Sequence, residues 1–236
     1  MRILVFQHTK GENPGAFLDH IADHGDSAQI VHLYDGQDIP ALERFDLLLV
    51  MGGPMDVWET VSNPWLTPEK RAIERWVREL GRPYLGICLG HQLLIDALGG
   101  RCAPMEVPEI GVLPVELTDS AHTDPVFSNL PHHFPVVQWH GVAASDLPDG
   151  CEVLAHSSGC AVQAVRVLDK AWGVQFHHEV IQGTIEAWMG DPENHQCAVE
   201  WLGTVEAVQH MIRQSNEIAA DQFRMTAEIY SALRKL

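Results

Sequence analysis

Short runs of branched apolar residues alternate with helical periods over the first hundred residues of the chain. The apolar runs predict β-strands at 3–7, 29–33, 46–51 and 83–87. Between the last two strands, apolar side chains recur at helical spacing and predict a helix over 67–80, with Pro68 in its first turn. Because strands that alternate with helices pair through crossover connections, we expect this part of the chain to build a parallel sheet covered by helices.

After residue 110 the predicted strands follow one another with only short turns between them. They fall at 111–117, 136–140, 151–155, 161–167 and 172–176. The links at 148–150 (Pro-Asp-Gly) and 157–159 (Ser-Ser-Gly) are typical of antiparallel hairpins. The complete sheet is therefore expected to be mixed.

Beyond Glu179 the periodicity is helical. It predicts helices near 182–189, 195–213 and 215–234. Apolar residues in the last of these recur on one face, which indicates that the tail packs on the domain as a cap or on a partner. A homodimer formed through the tail is one outcome that this pattern leaves open.

Charge and composition exclude several classes of protein. The chain carries 15 basic and 32 acidic side chains, for a formal net charge of −17, whereas nucleic-acid binding needs clustered basic residues. Its longest apolar stretches are far shorter than the ~20 residues that span a bilayer, so no membrane helix is expected. The five cysteines include no C-x-x-C pair, which predicts neither a disulfide framework nor a zinc knuckle. A reducing, cytoplasmic location is the resulting expectation.

The segment from Gly86 to Gln92 (G-I-C-L-G-H-Q) stands where a predicted strand ends and an apolar-periodic helix begins. It has the form G-x-C-x-G, the cysteine counterpart of a nucleophile elbow. Glycine is needed on each side because the sharp turn leaves no room for a Cβ atom. Cys88 would lie over the helix N-terminus, which favours a thiolate and can bind an oxyanion. The alternative is a buried structural cysteine beside a tight turn.

A nucleophilic cysteine needs a base and a group that orients the base. At the end of a predicted strand, residues 175–179 (Q-F-H-H-E) place His177 and Glu179 two positions apart, so both project to the same side. Glu179 can then hold one ring nitrogen of His177 while the other faces Cys88. The alternatives are a surface ion pair and a metal site that adds His178. The elbow explains the pattern better than a metal site does.

Both segments resemble motifs of one family, the class I (triad) glutamine amidotransferases. Residues 86–92 resemble the family's G-x-C-x-G-H-Q elbow, and residues 175–179 resemble its Q-F-H-P-E motif, in the expected order. Supporting matches lie at 7–8, 12–15, 52–55, 109–111 and 139–141. The resemblance is strongest to stand-alone members that are similar to GMP synthase.

The resemblance implies a flavodoxin-like, three-layer α/β sandwich with a mixed, mainly parallel central sheet. Cys88 would then lie at the carboxyl end of a central strand, where open α/β sheets gather ligand sites. The implied organisation is an amidotransferase domain at 1–190 and a C-terminal helical extension at 191–236 that packs on it.

The resemblance also implies a role for each matching residue. Cys88 is the expected nucleophile, His177 the general base and acid, and Glu179 the group that orients the histidine. The N–H groups of Gly53 and Leu89 are expected to form an oxyanion hole, since glycine lets a backbone donor approach the substrate. No metal and no cofactor are implied.

Four further positions match residues that contact the substrate in the family. They are Gly52, Gln92, His140 and Gly141. Two positions depart from the family's pattern. His178 replaces a proline whose fixed φ shapes the strand end, and Val142 stands where similar proteins tend to have an acidic residue. No specificity contact is inferred at Val142.

The expected activity is hydrolysis of the glutamine side-chain amide through a γ-glutamyl thioester, with release of ammonia. The sequence contains no G-x-x-x-x-G-K-[ST] string, and the remaining residues are too few for a synthase domain. Ammonia is therefore expected to be released or to pass to a separate synthase subunit. Two alternatives stay open: a γ-glutamyl peptidase or hydrolase that acts on γ-glutamyl peptides such as glutathione conjugates, and a non-catalytic interaction module.

Overall fold

A mixed sheet of nine strands forms the centre of the molecule, which the computed structural model describes over residues 1–236. The strands are β1 (Arg2–Gln7), β2 (Ser27–His32), β3 (Leu47–Val50), β4 (Tyr84–Ile87), β5 (Arg101–Leu117), β6 (His133–Asp146), β7 (Cys151–His156), β8 (Ala164–Val167) and β9 (Ala171–Val174). They lie in the order β2-β1-β3-β4-β9-β8-β7-β5-β6. The five strands from β2 to β9 pair in parallel, and the pairs from β9 to β6 are antiparallel, so the predicted mixed sheet is confirmed.

Helices cover both faces of this sheet. They are α1 (Ala16–Asp23), α2 (Leu66–Arg75), α3 (Leu89–Ala97), α4 (Thr184–Trp188), α5 (Pro192–Leu202) and α6 (Val205–Leu233). A π-helical turn continues α2 through Trp76–Leu80, and short 3-10 turns lie at Leu33–Asp35, Leu42–Arg44 and Asp119–Thr123. None of the helices combines the length and the apolar character that crossing a membrane requires.

The hydrophobic core is divided between the two faces because side chains alternate along each strand. Ile3 and Val5 of β1 join the buried cluster that includes α1 and α6. Leu4 and Phe6 of the same strand join the cluster that includes α2 and α3. This helix-sheet-helix arrangement confirms the expected three-layer α/β sandwich.

The long hairpin of β5 and β6 is the largest difference from the predicted strands. The sequence indicated only 111–117 and 136–140, whereas the pairing extends from Glu116 opposite His133 to Arg101 opposite Asp146. A register shift interrupts the ladder between Pro104 and Glu109. Proline has no N–H group to pair with a neighbouring strand and is tolerated at such irregular positions. Because the first half of β5 contains prolines, its sequence shows no clear strand pattern.

The boundary between the last two helices was also predicted wrongly. α5 ends at Leu202, where Gly203 adopts a left-handed φ of 86°. The Thr204 side chain then accepts a hydrogen bond from the Ala207 N–H and starts α6. No break occurs near residue 214: Ser215 lies within α6, where it is buried and its hydroxyl donates to the Ile212 carbonyl at 2.8 Å.

The long helix α6 packs along the rest of the chain. Its Gln222 side chain donates to the Pro135 carbonyl of β6 at 2.8 Å, and its Thr226 hydroxyl donates to the His178 carbonyl at 2.8 Å. His20 of α1 lies 3.1 Å from the Phe223 carbonyl. These contacts place the tail on the sheet and on α1, while the division of the chain at residue 190 stays a prediction.

Asp26, just before β2, joins the start of the sheet to the end of α6. Its side chain is 3% exposed and accepts hydrogen bonds from Arg234 Nε at 2.6 Å and Tyr230 Oη at 2.7 Å. Burial by itself raises the pKa of this carboxyl, but the hydrogen bonds from Arg234, the Met1 ammonium and Tyr230 outweigh burial and hold the pKa below its usual value.

Asp26→Asn is expected to lower the free energy of unfolding at pH 7 by about 1–2 kcal/mol, because a neutral amide loses the charge-assisted bonds. The folded-state pKa is depressed, so this contribution is complete above the unfolded pKa of about 4 and is lost as the pH falls through the folded value. Urea titrations of both proteins between pH 7 and pH 3 measure it. A stability difference that grows toward low pH would contradict this assignment.

Candidate active site

Cys88 lies between the end of β4 and the start of α3 in a left-handed backbone conformation, with φ 51°. Only one other non-glycine residue, Leu168, has a positive φ. A Cβ atom on Gly86 would lie 2.3 Å from the Gly90 carbonyl oxygen, and one on Gly90 would lie 2.1 Å from the Val50 carbonyl oxygen. Both glycines are therefore required by the turn, which holds Cys88 over the first N–H groups of α3.

His177 follows β9, which pairs with β4 directly beside the elbow. Its Nδ1 lies 2.7 Å from Oε1 of Glu179, and both side chains are buried. Burial lowers the pKa of His177, but the Glu179 carboxylate and the neighbouring Cys88 sulfur outweigh burial and hold the pKa well above its usual value. The structure thus brings Cys88, His177 and Glu179 together, with the Glu179 carboxylate at one ring nitrogen of His177 and the Cys88 sulfur beside the same ring.

Two free backbone donors lie next to the elbow. Neither the Gly53 N–H nor the Leu89 N–H has a hydrogen-bond acceptor in the protein. The two residues are in close contact, since a Cβ atom on Gly53 would lie 2.9 Å from Cδ2 of Leu89. His8 holds this loop from behind by a 2.9 Å contact between its Nδ1 and the Gly52 carbonyl. The arrangement suits the binding of a negatively charged oxygen.

Three of the expected substrate contacts, Gln92, His140 and Gly141, line the cavity on the other side of Cys88, whereas Gly52 lies beside His177. Gln92 Nε2 donates to the Val142 carbonyl at 3.1 Å, and His140 Nδ1 contacts the same oxygen at 3.1 Å. Gly141 and Gln92 line a cavity that also contains Cys88. Gly52 lies against the His177 ring, since a Cβ atom added to Gly52 would lie 3.1 Å from Cε1 of the ring.

His140 also belongs to a buried polar cluster beside this cavity. Its Nε2 lies 3.1 Å from Glu109, whose carboxylate also accepts hydrogen bonds from Ser157 at 2.6 Å and Gln163 at 2.7 Å. Cys160 lies close enough to complete a set of three metal-ligating atoms. Burial raises the pKa of the Cys160 thiol to about 11, and the thiol contacts the Val162 carbonyl. The potential ligand atoms are thus engaged in hydrogen bonds within the protein.

The ring of His178, which replaces the expected proline, is buried and packs against Phe17 of α1. It lies edge-on to Phe17 with 5.4 Å between ring centroids, and edge-on to Phe176 at 5.7 Å. Burial lowers the pKa of His178 to about 4, so the ring is neutral near pH 7. The substitution therefore adds an aromatic contact to the core and no charge to the site.

Glu12 and Trp188 border the site, although neither was predicted as a site residue. A Cβ atom on Gly52 would lie 1.9 Å from Oε2 of Glu12, which places this carboxylate beside the same glycine that the His177 ring contacts. Trp188 meets the His177 ring edge-on at 5.1 Å, and its Nε1 donates to the Gly11 carbonyl at 3.0 Å. Glu12 lies in a segment that matches the family pattern, whereas no local signal marks Trp188.

The cleft at Cys88 has two lobes. A first lobe of about 640 Å³ lies on the side of Glu12, His177 and Trp188. A second lobe of about 340 Å³ lies on the side of Gln92 and His140. Glu193 and Asn194 of α5 border both lobes, so the C-terminal helices form part of the cleft wall, a feature that the sequence did not indicate.

Comparison with known proteins agrees with this architecture. The family described as "Glutamine amidotransferase class-I" matches residues 17–189. The glutamine amidotransferase-like protein YfeJ of Salmonella typhimurium is 30% identical over 229 residues, which cover 94% of this chain and 84% of that protein. One subunit of the glutamine-hydrolysing GMP synthase of Saccharolobus solfataricus is 33% identical over 143 residues, covering 60% of this chain and 71% of that protein.

A crystal structure of a glutamine amidotransferase from Thermotoga maritima superposes with a TM-score of 0.88 at 26% identity, covering 99% of this chain and 97% of that one. The similarity therefore includes the C-terminal helices as well as the sheet. Together, the family match over most of the chain and the 30%-identical relative that covers 94% of it show that this chain is an enzyme of the class I glutamine amidotransferase family.

Proposed function

We propose that the protein hydrolyses the side-chain amide of glutamine with Cys88 as the nucleophile, His177 as the general acid and base, and Glu179 as the orienting carboxylate. The observation that carries the proposal is the strained Cys88 turn at the α3 N-terminus, with the buried His177–Glu179 pair beside it. Family membership supports glutamine as the substrate.

Acylation begins when the Cys88 thiolate attacks the amide carbon and the carbonyl electrons move to oxygen. The free N–H groups of Gly53 and Leu89 stabilise the resulting oxyanion. His177, as the imidazolium, then gives its proton to the amide nitrogen. The carbon–nitrogen bond breaks, ammonia leaves, and a γ-glutamyl thioester remains on Cys88.

Hydrolysis of the thioester reverses the proton transfer. Neutral His177 removes a proton from water, and the hydroxide attacks the thioester carbonyl. The tetrahedral intermediate collapses, glutamate leaves, and the thiolate is restored beside the imidazolium. The γ-carboxylic acid then gives its proton to ammonia, so the sum of the two stages is glutamine plus water giving glutamate plus ammonium.

A separate synthase subunit is the proposed destination of the ammonia. This proposal is supported by the similarity to a protein that is named as one subunit of a glutamine-hydrolysing GMP synthase. In an enzyme that is divided into subunits, the synthase activity can lie on another chain. The similarity covers 60% of this chain and does not identify the acceptor of the ammonia. Free release of ammonia is the other outcome.

A γ-glutamyl peptidase activity is a second candidate, and one observation favours it. The first lobe of the cleft lies on the His177 side of Cys88, where a leaving group takes up its proton, and measures about 640 Å³. Ammonia is about the size of a water molecule, which occupies roughly 30 Å³ in the liquid. The lobe could therefore hold a leaving group much larger than ammonia, such as the remainder of a γ-glutamyl peptide.

Turnover assays with glutamine and with γ-glutamyl dipeptides, read by release of glutamate and of ammonia or amine, distinguish these functions. We expect glutamine to give the higher kcat/KM and a glutamine-analogue electrophile to label Cys88 alone. Preference for the dipeptides would favour the peptidase. Absence of turnover together with absence of an adduct would favour a non-catalytic module. The Cys88→Ala protein is the negative control for both turnover and labelling.

A further inference from the structure

Gln175 is a fully buried polar residue whose side chain reaches the sulfur of Cys88. Its backbone follows β9, and its side-chain Nε2 lies 3.6 Å from Cys88 Sγ, within the range of a hydrogen bond to sulfur. Its other amide atom, Oε1, lies 3.2 Å from Nε2 of Gln92. Both ends of the Gln175 amide are therefore in use, and one of them touches the reacting atom.

The orientation of this amide follows from a chain of hydrogen bonds. The Val142 carbonyl oxygen can only accept, so the end of the Gln92 side chain that lies 3.1 Å away must be its NH₂ group. The same NH₂ group also faces Gln175, which must then present its oxygen there. The NH₂ group of Gln175 consequently points at Cys88, and the sulfur is the acceptor.

We propose that Gln175 is a further catalytic residue, which stabilises the Cys88 thiolate by donating an N–H to Sγ, and that Gln92 keeps the donor in this orientation. The inference rests on the proposed role of Cys88 as the nucleophile. It assigns Gln92 a second task besides substrate contact, that of positioning Gln175. The Val142 carbonyl of β6, at the border of the second lobe, anchors this chain of hydrogen bonds.

The physical argument is one of burial and charge. Cys88 is 7% exposed, so a thiolate there has little contact with water and depends on the donors that the protein supplies. The N-terminus of α3 lies on one side of the sulfur and the Gln175 amide is a further donor. A neutral amide donor stabilises the anion without adding a charge that would compete with His177.

The rate of Cys88 alkylation by iodoacetamide, measured as a function of pH, tests this role without turnover. Gln175→Met removes the donor at similar length, and Gln175→Glu replaces it with an acceptor. Loss of the donor should raise the apparent pKa of the thiol by about one unit, which lowers alkylation below that pKa about tenfold. The rate should return to that of the parent protein at high pH, because the thiolate itself is still accessible.

The titratable groups that border Cys88 are the same in the parent protein and in Gln175→Met. They are His8, Lys10, Glu12, Asp56, His140, His177, Glu179, Asp191, Glu193 and Cys197. Gln92→Met acts from the other end of the chain of hydrogen bonds, so it should shift the thiol pKa in the same direction by a smaller amount. The exposed Glu206→Gln change on α6 should leave the alkylation profile unchanged and serves as the control.

Unchanged alkylation profiles in Gln175→Met and Gln92→Met would overturn the proposal. A loss of alkylation at all pH values, with a lower melting temperature, would show that Gln175 only supports the fold and would also overturn it. Failure of the proposed function looks different, because the parent protein would then be alkylated normally but release no glutamate from glutamine.

Discussion

Cys88→Ala is expected to abolish turnover of glutamine and of γ-glutamyl peptides, with a loss of at least about 10⁴-fold in kcat, while the fold is retained. The reason is that the thioester cannot form without the sulfur. Cys197 also borders the second lobe, but it does not lie at a helix N-terminus beside His177, and burial raises the pKa of its thiol. Burial raises the pKa of Cys151 to about 11 and that of Cys102 to about 12, so both stay protonated near pH 7. Glutamate release over time, with purified protein, is the measurement.

Cys151→Ala is the matched control, since it removes a half-buried thiol on β7 that lies outside the cleft. It should retain turnover. The melting temperature of Cys88→Ala should stay close to that of the parent protein or exceed it, because an alanine removes a buried thiol at a strained turn without adding volume. Turnover that survives in Cys88→Ala would remove the basis of the proposed function.

Glu179→Gln should lower kcat/KM by about 10³-fold or more, with a smaller effect on KM. The amide occupies nearly the same volume but cannot stabilise the imidazolium, and it no longer selects the tautomer whose Nε2 faces Cys88. The carboxylate holds the pKa of His177 well above its usual value, so its loss lowers that pKa. The basic limb of the kcat/KM profile should consequently move to lower pH, as a series of assays between pH 5 and pH 10 would show.

Removal of a carboxylate outside the cleft is the control for Glu179→Gln. Glu206→Gln on the exposed first turn of α6 should change neither the rate nor the position of the basic limb. If Glu179→Gln matched the parent protein in both, the His177–Glu179 contact would be a buried ion pair without a catalytic role.

The local parts of the fold were predictable because they depend on residues close together in the chain. Each strand of the parallel half was placed within two residues of its observed ends. The hairpin of β5 and β6 was underestimated, since pairing across a register shift depends on the partner strand rather than on local pattern. The break at Gly203 was missed because the helical period continues on both sides of it.

The residues of the site also divide into those that local sequence predicts and those that depend on distant parts of the chain. The roles suggested for Cys88, His177 and Glu179 rest on two short motifs whose spacing already determines a tight turn and a same-side pair. Nothing in either motif indicates that Gln175 touches Cys88, or that Glu12 and Trp188 border His177. Those contacts join parts of the chain that lie far apart in sequence.

The sequence by itself determined the nucleophile turn, since only glycine permits the close approaches at Gly86 and Gly90. It also determined the mixed α/β architecture through the order of its strands and helices. Only the tertiary structure decided which loops line the cleft and that α5 closes part of it. The physical reason is that a glycine turn is constrained by its immediate neighbours, whereas the shape of a cleft depends on how distant segments pack against each other.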